Sequence, residues 1–437
     1  MSARLNERRV PRSKNAHMAS QRQRARAWRR ISAAEARGHA ILVALLLWCV
    51  AGVIAFAGSG YRSVFGPLKG SDFIQFYTLG HIDAQTAPST LYDPDAFHRL
   101  QTQLVPESDP EHYLIVYPPH VTFLFRPFAD LTYGSAALLW AAILALIYGA
   151  CMWLAWRPFR AVLPDRQLLI AAAAAFPPFW YLVLHGQTAI VPLMAFCLGW
   201  LALEHRRPFW AGMALGLLLL KPQFALVLAV LVLVCREWSM LAGAIVSIGV
   251  QVTATIALLG TSVLWDYAAV VMRFADLRAL LEPKPEQLHS ISAVTNRLSA
   301  DWGMILWALL SAVVIVQTIR VWRSSAPVAL RTGVLVLASV LVNPHVFVYD
   351  AVVLAPALVW LAAWVYREGS TLQMTKSVFV LAVYGLSLSL LVPSGALIPI
   401  QISVLVLAGL LAVVSRDLLS AQNRKLEQPM AAISPAS

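Results

Sequence analysis

Long apolar stretches alternate with short polar ones along most of the chain, beginning after about the first 38 residues. A helix needs about 20 predominantly apolar residues to cross the hydrocarbon core of a bilayer. We predict about twelve spans, at residues 39–58, 133–156, 167–184, 188–204, 208–220, 223–235, 238–260, 303–322, 328–342, 351–366, 377–392 and 398–414. The pattern therefore predicts an all-α polytopic membrane protein whose two termini lie on the same side.

The composition supports this class and changes how the net positive charge is interpreted. Hydrophobic residues make up 59% of the 437 residues and charged residues 13%, against about 45–50% and about 25% in soluble globular proteins. The formal net charge is +12, which in a soluble chain would suggest nucleic-acid binding. In a polytopic chain the same excess is typical of basic cytoplasmic loops. We therefore expect a lipid bilayer as partner and no nucleic acid.

The positions of the basic residues predict the side that each loop faces. Residues 1–38 contain ten Arg and one Lys against two Glu, which predicts a disordered cytoplasmic tail. The transmembrane domain then covers 39–416, and 417–437 form a second cytoplasmic tail. In this topology 25 of the 34 Lys and Arg residues face the cytoplasm. The long segments 59–132 and 261–302 become extracytoplasmic.

One stretch decides the topology of everything after it. Residues 209–235 form either one span with Lys221 inside it or two short helices with Lys221 at the tip of a hairpin. A charge at the bilayer centre costs at least about 2.5–3.5 kcal/mol, and Pro222 disfavours a helical conformation at Lys221. Both arguments favour the hairpin. Since its arms are short, we expect Lys221 to lie recessed below the outer surface.

The first outer segment is too apolar and too acidic to be a plain linker. It contains FIQFYTLG, LYDPDAFHRL and YLIVYPPHVTFLFRPF together with eight acidic residues. We predict that its pieces form short helices at the membrane interface, with Tyr and Phe at the level of the lipid headgroups. Loops of this length are usually functional.

Asp72 opens FIQFYTLG, where Phe73, Phe76 and Tyr77 share one helical face beside it. Such apolar neighbours raise the pKa of a carboxyl group, which suits a general base. The alternative is that Asp72 only caps the helix, since Asp is a favoured N-cap residue. For Asp93, which precedes Pro94 in a turn signal, the structural role is the better interpretation.

Lys221 is the second candidate for chemistry. A recessed lysine at the outer interface suits a phosphate anion, and the alternative is a lysine that only extends toward the headgroups from a helix end. Asp350 is a further carboxylate in a predicted span, which makes it a functional candidate. The other polar residues that we expect near the outer helix ends, as candidates for positioning a substrate, are Tyr77, Tyr117, His185, Gln187, His289, His345 and Tyr349.

Motifs for metal or nucleotide binding are absent from the sequence. It contains no HExxH, CxxC, GxGxxG or Walker loop, each of which has a characteristic spacing. We therefore expect neither a metal site nor another cofactor, and no cytosolic nucleotide site.

Six motifs in a fixed order carry a family resemblance. They are DFIQFYTLG (72–80), LYD (91–93), YPP (117–119), HGQT (185–188), AGMALGLLLLKPQ (211–223) and NPHVFVYD (343–350). With the basic start and the first span, they make residues 40–410 resemble glycosyltransferase family 87. These membrane enzymes use polyprenyl-phosphate sugars and have the C-type glycosyltransferase fold.

The resemblance implies specific roles for two residues. Asp72 matches the catalytic aspartate of the first outer loop, which removes the proton from an acceptor hydroxyl as polyprenyl phosphate leaves with inversion. Lys221 matches the lysine that contacts the donor phosphate. The implied donor carries a hexose or pentose, mannose-like, and the acceptor is a glycan or glycolipid of the cell envelope. Mannosyltransferase relatives often look like Ser-Pro-x-x-Trp-x-His at the last motif, where this chain has Tyr349 and Asp350.

The resemblance also implies a place and leaves two rival functions. The place is the bacterial cytoplasmic (inner) membrane, with both termini cytoplasmic and the active site extracytoplasmic. A secondary transporter is one rival, but transporters place their binding groups near the midplane, whereas the ionisable residues here cluster at predicted outer ends. The other rival is a non-enzymatic membrane protein of envelope assembly.

Overall fold

The computed structural model describes residues 31–82, 88–273, 287–368, 374–392 and 401–431. Within these ranges the chain is helical, and the only strand-like feature is a single antiparallel bridge between Arg62 and Leu68. The fold class predicted from the apolar stretches is therefore confirmed as all-α. The greater part of the predicted N-terminal tail lies outside the described residues.

The described helices follow the predicted stretches closely. Numbered in chain order, they are α1 (Ala33–Phe56), α2 (Phe73–Gly80), α3 (Pro94–Leu104), α4 (Val121–Phe125), α5 (Tyr133–Trp156), α6 (Arg166–Ala174), α7 (Pro177–His185), α8 (Ile190–Glu204), α9 (Pro208–Leu215), α10 (Leu226–Val234), α11 (Trp238–Leu259), α12 (Ser262–Met272), α13 (Ile291–Thr295), α14 (Ala300–Trp322), α15 (Val328–Val342), α16 (Leu354–Glu368), α17 (Lys376–Leu391) and α18 (Ile402–Ala431). Short 3₁₀ segments extend α9 to Leu220 and precede α10 and α16 at Pro222–Ala225 and Val348–Val353.

The lengths of these helices support a polytopic membrane protein without reproducing twelve full spans. Six helical stretches in the described residues are long and apolar enough to cross a membrane: Ala33–Phe56, Tyr133–Phe159, Trp238–Leu259, Asp301–Trp322, Val348–Glu368 and Ile402–Gln422. The pair α6 and α7, bent by 48°, makes a seventh if it counts as one span. Six further apolar helices have only 10–17 residues, so the count of twelve stays a prediction.

Several boundaries differ from the prediction for local reasons. The predicted span 167–184 breaks between α6 and α7, because Pro177 and Pro178 begin α7 and proline cannot continue the preceding helix. Helix α1 begins at Ala33, inside the predicted tail, where Ser32 and Glu35 form a capping box. Helix α18 continues to Ala431, beyond the predicted end at 414. The outer segment 261–302 contains α12, which the sequence analysis did not predict.

The hairpin at Lys221 is present. Helices α9 and α11 run parallel, since Gly212 lies against Met240 and Gly216 lies against Ser247. The chain must therefore return between them, through the 3₁₀ segment after Lys221 and then α10. Lys221 adopts a non-helical conformation with φ −133° and ψ 76°, as its position before Pro222 requires.

The outer segment forms short helices, as predicted, but the aromatic residues of α2 are buried in the protein. Every residue of α2 is buried, and Phe73 and Phe76 are 1% and 0% exposed. Phe76 stacks on Phe125 at a centroid distance of 4.9 Å, and Phe125 packs against Trp140 of α5 at 4.9 Å. The aromatic residues of α2 thus fill a protein core that fixes the segment on the bundle, because burial of such rings removes a large apolar area from water.

Candidate active site

Asp72 occupies the N-cap position of α2, yet its side chain makes no capping hydrogen bond. One carboxylate oxygen, Oδ2, instead accepts a hydrogen bond from Nε2 of Gln187 at 2.8 Å. The side chain remains 24% exposed. The capping alternative therefore does not account for this residue, and its carboxylate is directed at another part of the chain. Asp93, in contrast, caps α3 by accepting from the backbone N–H groups of Asp95 and Ala96.

The HGQT motif reaches Asp72 through a tight turn. Helix α7 is followed by Gly186, which has φ +65°, and a Cβ atom there would lie 2.6 Å from the Cβ of Phe73. Glycine is needed at this position because other residues meet steric strain in the left-handed region. The carbonyl of Gly186 also accepts a hydrogen bond from Trp140 Nε1 at 2.9 Å. The turn brings His185 and Gln187 to the start of α2.

His185 lies between Asp72 and two aromatic rings. Its Nδ1 is 3.7 Å from Asp72 Oδ2 and 2.9 Å from the hydroxyl oxygen of Ser71. The imidazole lies parallel to the ring of Tyr181 at 6.0 Å and is tilted against Tyr349 at 6.1 Å. This position lets His185 stabilise the negative charge of Asp72 whenever the imidazole is protonated.

The electrostatic setting of Asp72 differs from the sequence-based expectation. Burial raises the pKa of the carboxyl group, but His185, the hydrogen bond from Gln187 and the charge of Lys221 outweigh it. The net result is a pKa below the ordinary value of 3.8. The predicted raised pKa is therefore wrong, because the sequence analysis weighed the apolar neighbours and missed the polar groups that arrive from α7 and the hairpin. Asp72 is an ionised acceptor at neutral pH.

Tyr117 connects this carboxylate with the hairpin. Its hydroxyl donates to Oε1 of Gln187 at 3.1 Å, and the centre of its ring lies 5.8 Å from Nζ of Lys221. Burial raises the pKa of the phenol above its ordinary value of 10.0. Tyr117 is therefore a neutral hydrogen-bond donor at physiological pH.

Lys221 has a carboxylate partner of its own. Its Nζ donates to Oδ1 of Asp350 at 2.6 Å, and the two side chains are only 5% and 2% exposed. The other oxygen, Oδ2, accepts from the backbone N–H of Phe347 at 3.1 Å. The ring centre of Tyr349 lies 5.2 Å from the ammonium group. The lysine is buried within the protein, and the anion beside it is a protein carboxylate.

The structure thus brings most of the predicted site residues to one end of the bundle. Asp72, Tyr117, His185, Gln187, Lys221, Tyr349 and Asp350 form a cluster through the contacts above. The opposite end is marked by the ion pair between Arg37 at the start of α1 and Asp165 before α6, at 3.1 Å. The prediction that Asp72 and Lys221 lie on the same side is therefore consistent with the helix directions.

Three predicted residues have other contacts. The hydroxyl of Tyr77 donates to the carbonyl of Leu131 at 2.7 Å. Nδ1 of His289 lies 2.8 Å from the hydroxyl of Ser403, and burial lowers the pKa of this imidazole to about 3. The ring of His345 packs edge-on against Phe347 at 4.8 Å. None of these three contacts reaches Asp72.

Sequence reasoning missed two residues beside Asp72. Ser71 contacts His185, and Tyr113 donates from its hydroxyl to the carbonyl of Ser71 at 2.6 Å. The only available signal was the adjacency of Ser71 to Asp72, since nothing in the sequence around Tyr113 links it to position 71. In the described part of the chain, His, Cys, Asp and Glu residues form no group of three or more that could hold a metal ion.

A comparison with known families decides the class of the protein. The sequence model of glycosyltransferase family 87 matches residues 115–344, just over half of the chain. The chain belongs to glycosyltransferase family 87. No curated protein and no solved structure gives a significant match. The protein is therefore a membrane glycosyltransferase, and the resemblance stated from the six motifs is confirmed.

The family match and the cluster overlap only in part. Tyr117, His185, Gln187 and Lys221 lie inside the matched range 115–344 of this family 87 protein. Asp72 precedes this range, and Asp350 follows it. The cluster therefore joins residues from the matched region with two carboxylates supplied by the flanking parts of the chain.

Proposed function

We propose that this family 87 enzyme transfers a hexose or pentose, mannose-like, from a polyprenyl-phosphate donor to a hydroxyl group of an envelope glycan or glycolipid. The observation that carries the proposal is the position of Asp72, whose ionised carboxylate lies in one cluster with Lys221 at the end of the bundle opposite Arg37 and Asp165. A base and a cation in one cluster suit a reaction in which a hydroxyl loses its proton while a phosphate departs.

The proposed step is a single displacement with inversion. Asp72 accepts the proton of the acceptor hydroxyl while the acceptor oxygen forms a bond to the anomeric carbon. The bond between that carbon and the phosphate oxygen breaks, and polyprenyl phosphate leaves with the electron pair. Since phosphate is a good leaving group, positioning of the two substrates supplies much of the rate.

The oxygens of Asp72 support its role as the base. Oδ2 accepts from Gln187 and faces His185, while the described hydrogen bonds include none to Oδ1. A carboxylate has about four acceptor positions on its two oxygens. The side chain is 24% exposed, so an acceptor hydroxyl has room to reach it.

Lys221 is proposed to contact the donor phosphate while it keeps Asp350. An ammonium group has three N–H donors, and one of them is used in the bond to Asp350. A phosphate oxygen can take another, and Asp350 then keeps the lysine in place. The ring centre of Tyr349 lies 5.2 Å from the ammonium group.

The proposal includes a location and an orientation. Residues 39–416 form the transmembrane domain of a bacterial cytoplasmic membrane protein, with both termini cytoplasmic and the cluster extracytoplasmic. The distribution of Lys and Arg supports this orientation. A lipid-linked donor fits it, because such a donor reaches a compartment that has no nucleotide sugars. The cluster requires no metal or cofactor for the proposed step.

The experiment compares two aspartates of the outer segment. Asp72→Asn removes the base, and general-base catalysis contributes about 10²–10⁴-fold, so sugar transfer from a radiolabelled polyprenyl-phosphate-mannose donor should fall at least about a hundredfold. Asp93→Asn is the matched control, because asparagine caps a helix as well as aspartate. Near-normal transfer by a folded Asp72→Asn enzyme would refute the assignment.

A further inference from the structure

The side chain of Gln187 forms a bridge between Asp72 and Tyr117. Its Nε2 donates to Asp72 Oδ2 at 2.8 Å, and its Oε1 accepts from the Tyr117 hydroxyl at 3.1 Å. Gln187 is only 3% exposed. Both functional atoms of the amide are thus used inside the protein, so the residue has a task other than binding a substrate.

The orientation of this amide follows from its two neighbours. An ionised carboxylate only accepts hydrogen bonds, so the NH₂ group must face Asp72. The carbonyl oxygen must then face Tyr117, whose hydroxyl is neutral and donates. If the amide turned over, its carbonyl oxygen would face the carboxylate and the hydrogen bond to Asp72 would be lost. Asp72 therefore selects the orientation, and the hydroxyl of Tyr117 holds the amide in it by donating to Oε1.

Both bridging residues are held rigidly by parts of the chain outside the cluster. The carbonyl of Tyr117 accepts from the Tyr92 hydroxyl at 2.8 Å, and its ring packs edge-on against Phe76 at 5.1 Å. Gln187 follows Gly186, whose backbone lies against Phe73. Rigid support of this kind is what keeps a catalytic group in a productive geometry.

We infer that Tyr117 and Gln187 are positioning residues that hold Asp72 ionised and oriented as the base, and that they do not bind the sugar. The inference rests on the proposed function of Asp72. Because the ring of Tyr117 also lies 5.8 Å from Lys221 Nζ, this residue links the cation to the base through Gln187.

The titratable groups that face Asp72 bear on the test. They are His185 from α7, Lys221 from the hairpin, Tyr113 and Tyr117 from the outer segment, Tyr133 from α5 and Tyr349 before α16. Only Tyr117 and Gln187 are changed in the experiment, so the contributions of the others remain in every variant.

The test measures the protonation of Asp72 without any substrate. Dicyclohexylcarbodiimide reacts with protonated carboxyl groups in apolar surroundings, and mass spectrometry of the peptide that contains Asp72 gives the labelling rate of the full-length protein at each pH. Loss of one net hydrogen bond corresponds to about one pH unit. Gln187→Met removes the hydrogen bond to Asp72 and should therefore label Asp72 about tenfold faster than the wild type near pH 5. Tyr117→Phe should also label it faster than the wild type, because Gln187 loses the hydrogen bond that holds its amide oxygen.

The control separates this effect from a general loosening of the fold. Tyr148→Phe also removes a buried hydroxyl, which donates to the carbonyl of Ala173 at 3.1 Å, far from the cluster along α5. It should label Asp72 at the wild-type rate. Easier access of the reagent would scale the rate equally at every pH, whereas a change in protonation moves the midpoint of the pH profile.

Each outcome decides one of the two claims. A wild-type midpoint in both Tyr117→Phe and Gln187→Met would overturn the positioning role and leave the proposed function standing. Full sugar transfer by Asp72→Asn would overturn the proposed function, whatever the labelling shows. If Tyr117→Phe fails to give a monodisperse protein, Gln187→Met carries the test by itself, and an unchanged midpoint in it overturns the inference.

Discussion

Removing the carboxylate of Asp350 tests whether the buried ion pair supports the fold, the transfer reaction or both. Asp350→Asn leaves the ammonium of Lys221 in a site where the two side chains are only 5% and 2% exposed. Lys221→Met likewise leaves the carboxylate of Asp350 buried without its partner. The double variant Lys221→Met/Asp350→Leu removes both charges and keeps much of the apolar volume.

The expected magnitudes follow from the geometry of the pair. At 2.6 Å the Coulomb attraction is about 6 kcal/mol for an effective dielectric constant of about 20, and the loss of hydration offsets much of it. Removing one partner of a buried pair costs about 3–5 kcal/mol, because the other charge remains without compensation, whereas replacing both by apolar residues is often neutral. We therefore expect the two single variants to be less stable than the double variant.

Thermal unfolding of the purified protein, followed by tryptophan fluorescence, gives the order of stabilities, and sugar transfer is measured on the same samples. The account predicts that the double variant regains most of the wild-type Tm and still lacks transfer, because Lys221 is missing. Wild-type Tm values in both single variants would show that the pair contributes nothing to stability. Normal transfer by the double variant would refute the proposed role of Lys221.

Three further predictions concern packing and pH. Gly212→Ala should abolish folding, because a Cβ there would lie 1.9 Å from the carbonyl oxygen of Met240. Gly249→Ala is the control, since no atom lies within 4 Å of its added Cβ. The yield of monodisperse protein measures the effect of both variants. Gly186→Ala should lower both Tm and transfer, since φ is +65° and Phe73 is too close; a wild-type Tm would contradict this. The pKa of Asp72 lies below 3.8, so the stability from its ionisation is complete above about pH 4 and is lost as the pH falls through the folded-state value. Asp72→Asn should therefore change Tm at least as much at pH 5 as at pH 8, because the carboxylate is ionised at both and protonation of His185 would only add to its stabilisation; a smaller change at pH 5 would place that pKa higher.

Much of the helical architecture follows from hydropathy alone, because a helix buried in a bilayer needs continuous apolar residues. The hairpin at Lys221 is the clearest case, since the cost of a buried charge and the proline after it lead to the geometry that the structure has. Helix ends were harder to predict. Pro177 breaks a predicted span, and α12 lies in a segment assigned to the outer surface, because length and local bends depend on packing that hydropathy does not contain.

The site was predictable as a set of residues and only partly as a set of contacts. The motifs brought attention to Asp72, Gln187 and Lys221, but the pairing of Lys221 with Asp350 joins positions 129 residues apart. The pKa of Asp72 was predicted in the wrong direction for the same reason, since its polar neighbours are distant in sequence. The aromatic residues of α2 suggested a membrane interface, whereas a protein core uses the same residue types.

The most direct test of the central claim is the side of the membrane on which Asp72 and Lys221 lie. Four single-cysteine variants would be made after replacing the four native cysteines. Val64→Cys reports on the side of Asp72, and Pro222→Cys reports on the side of Lys221. Arg160→Cys and Arg206→Cys report on the predicted cytoplasmic loops. All four native residues are exposed, Val64 to 53%. A membrane-impermeant maleimide applied to intact cells should label positions 64 and 222 and reach 160 and 206 only after permeabilisation. Labelling of 64 and 222 from opposite sides would contradict a single site built from Asp72 and Lys221.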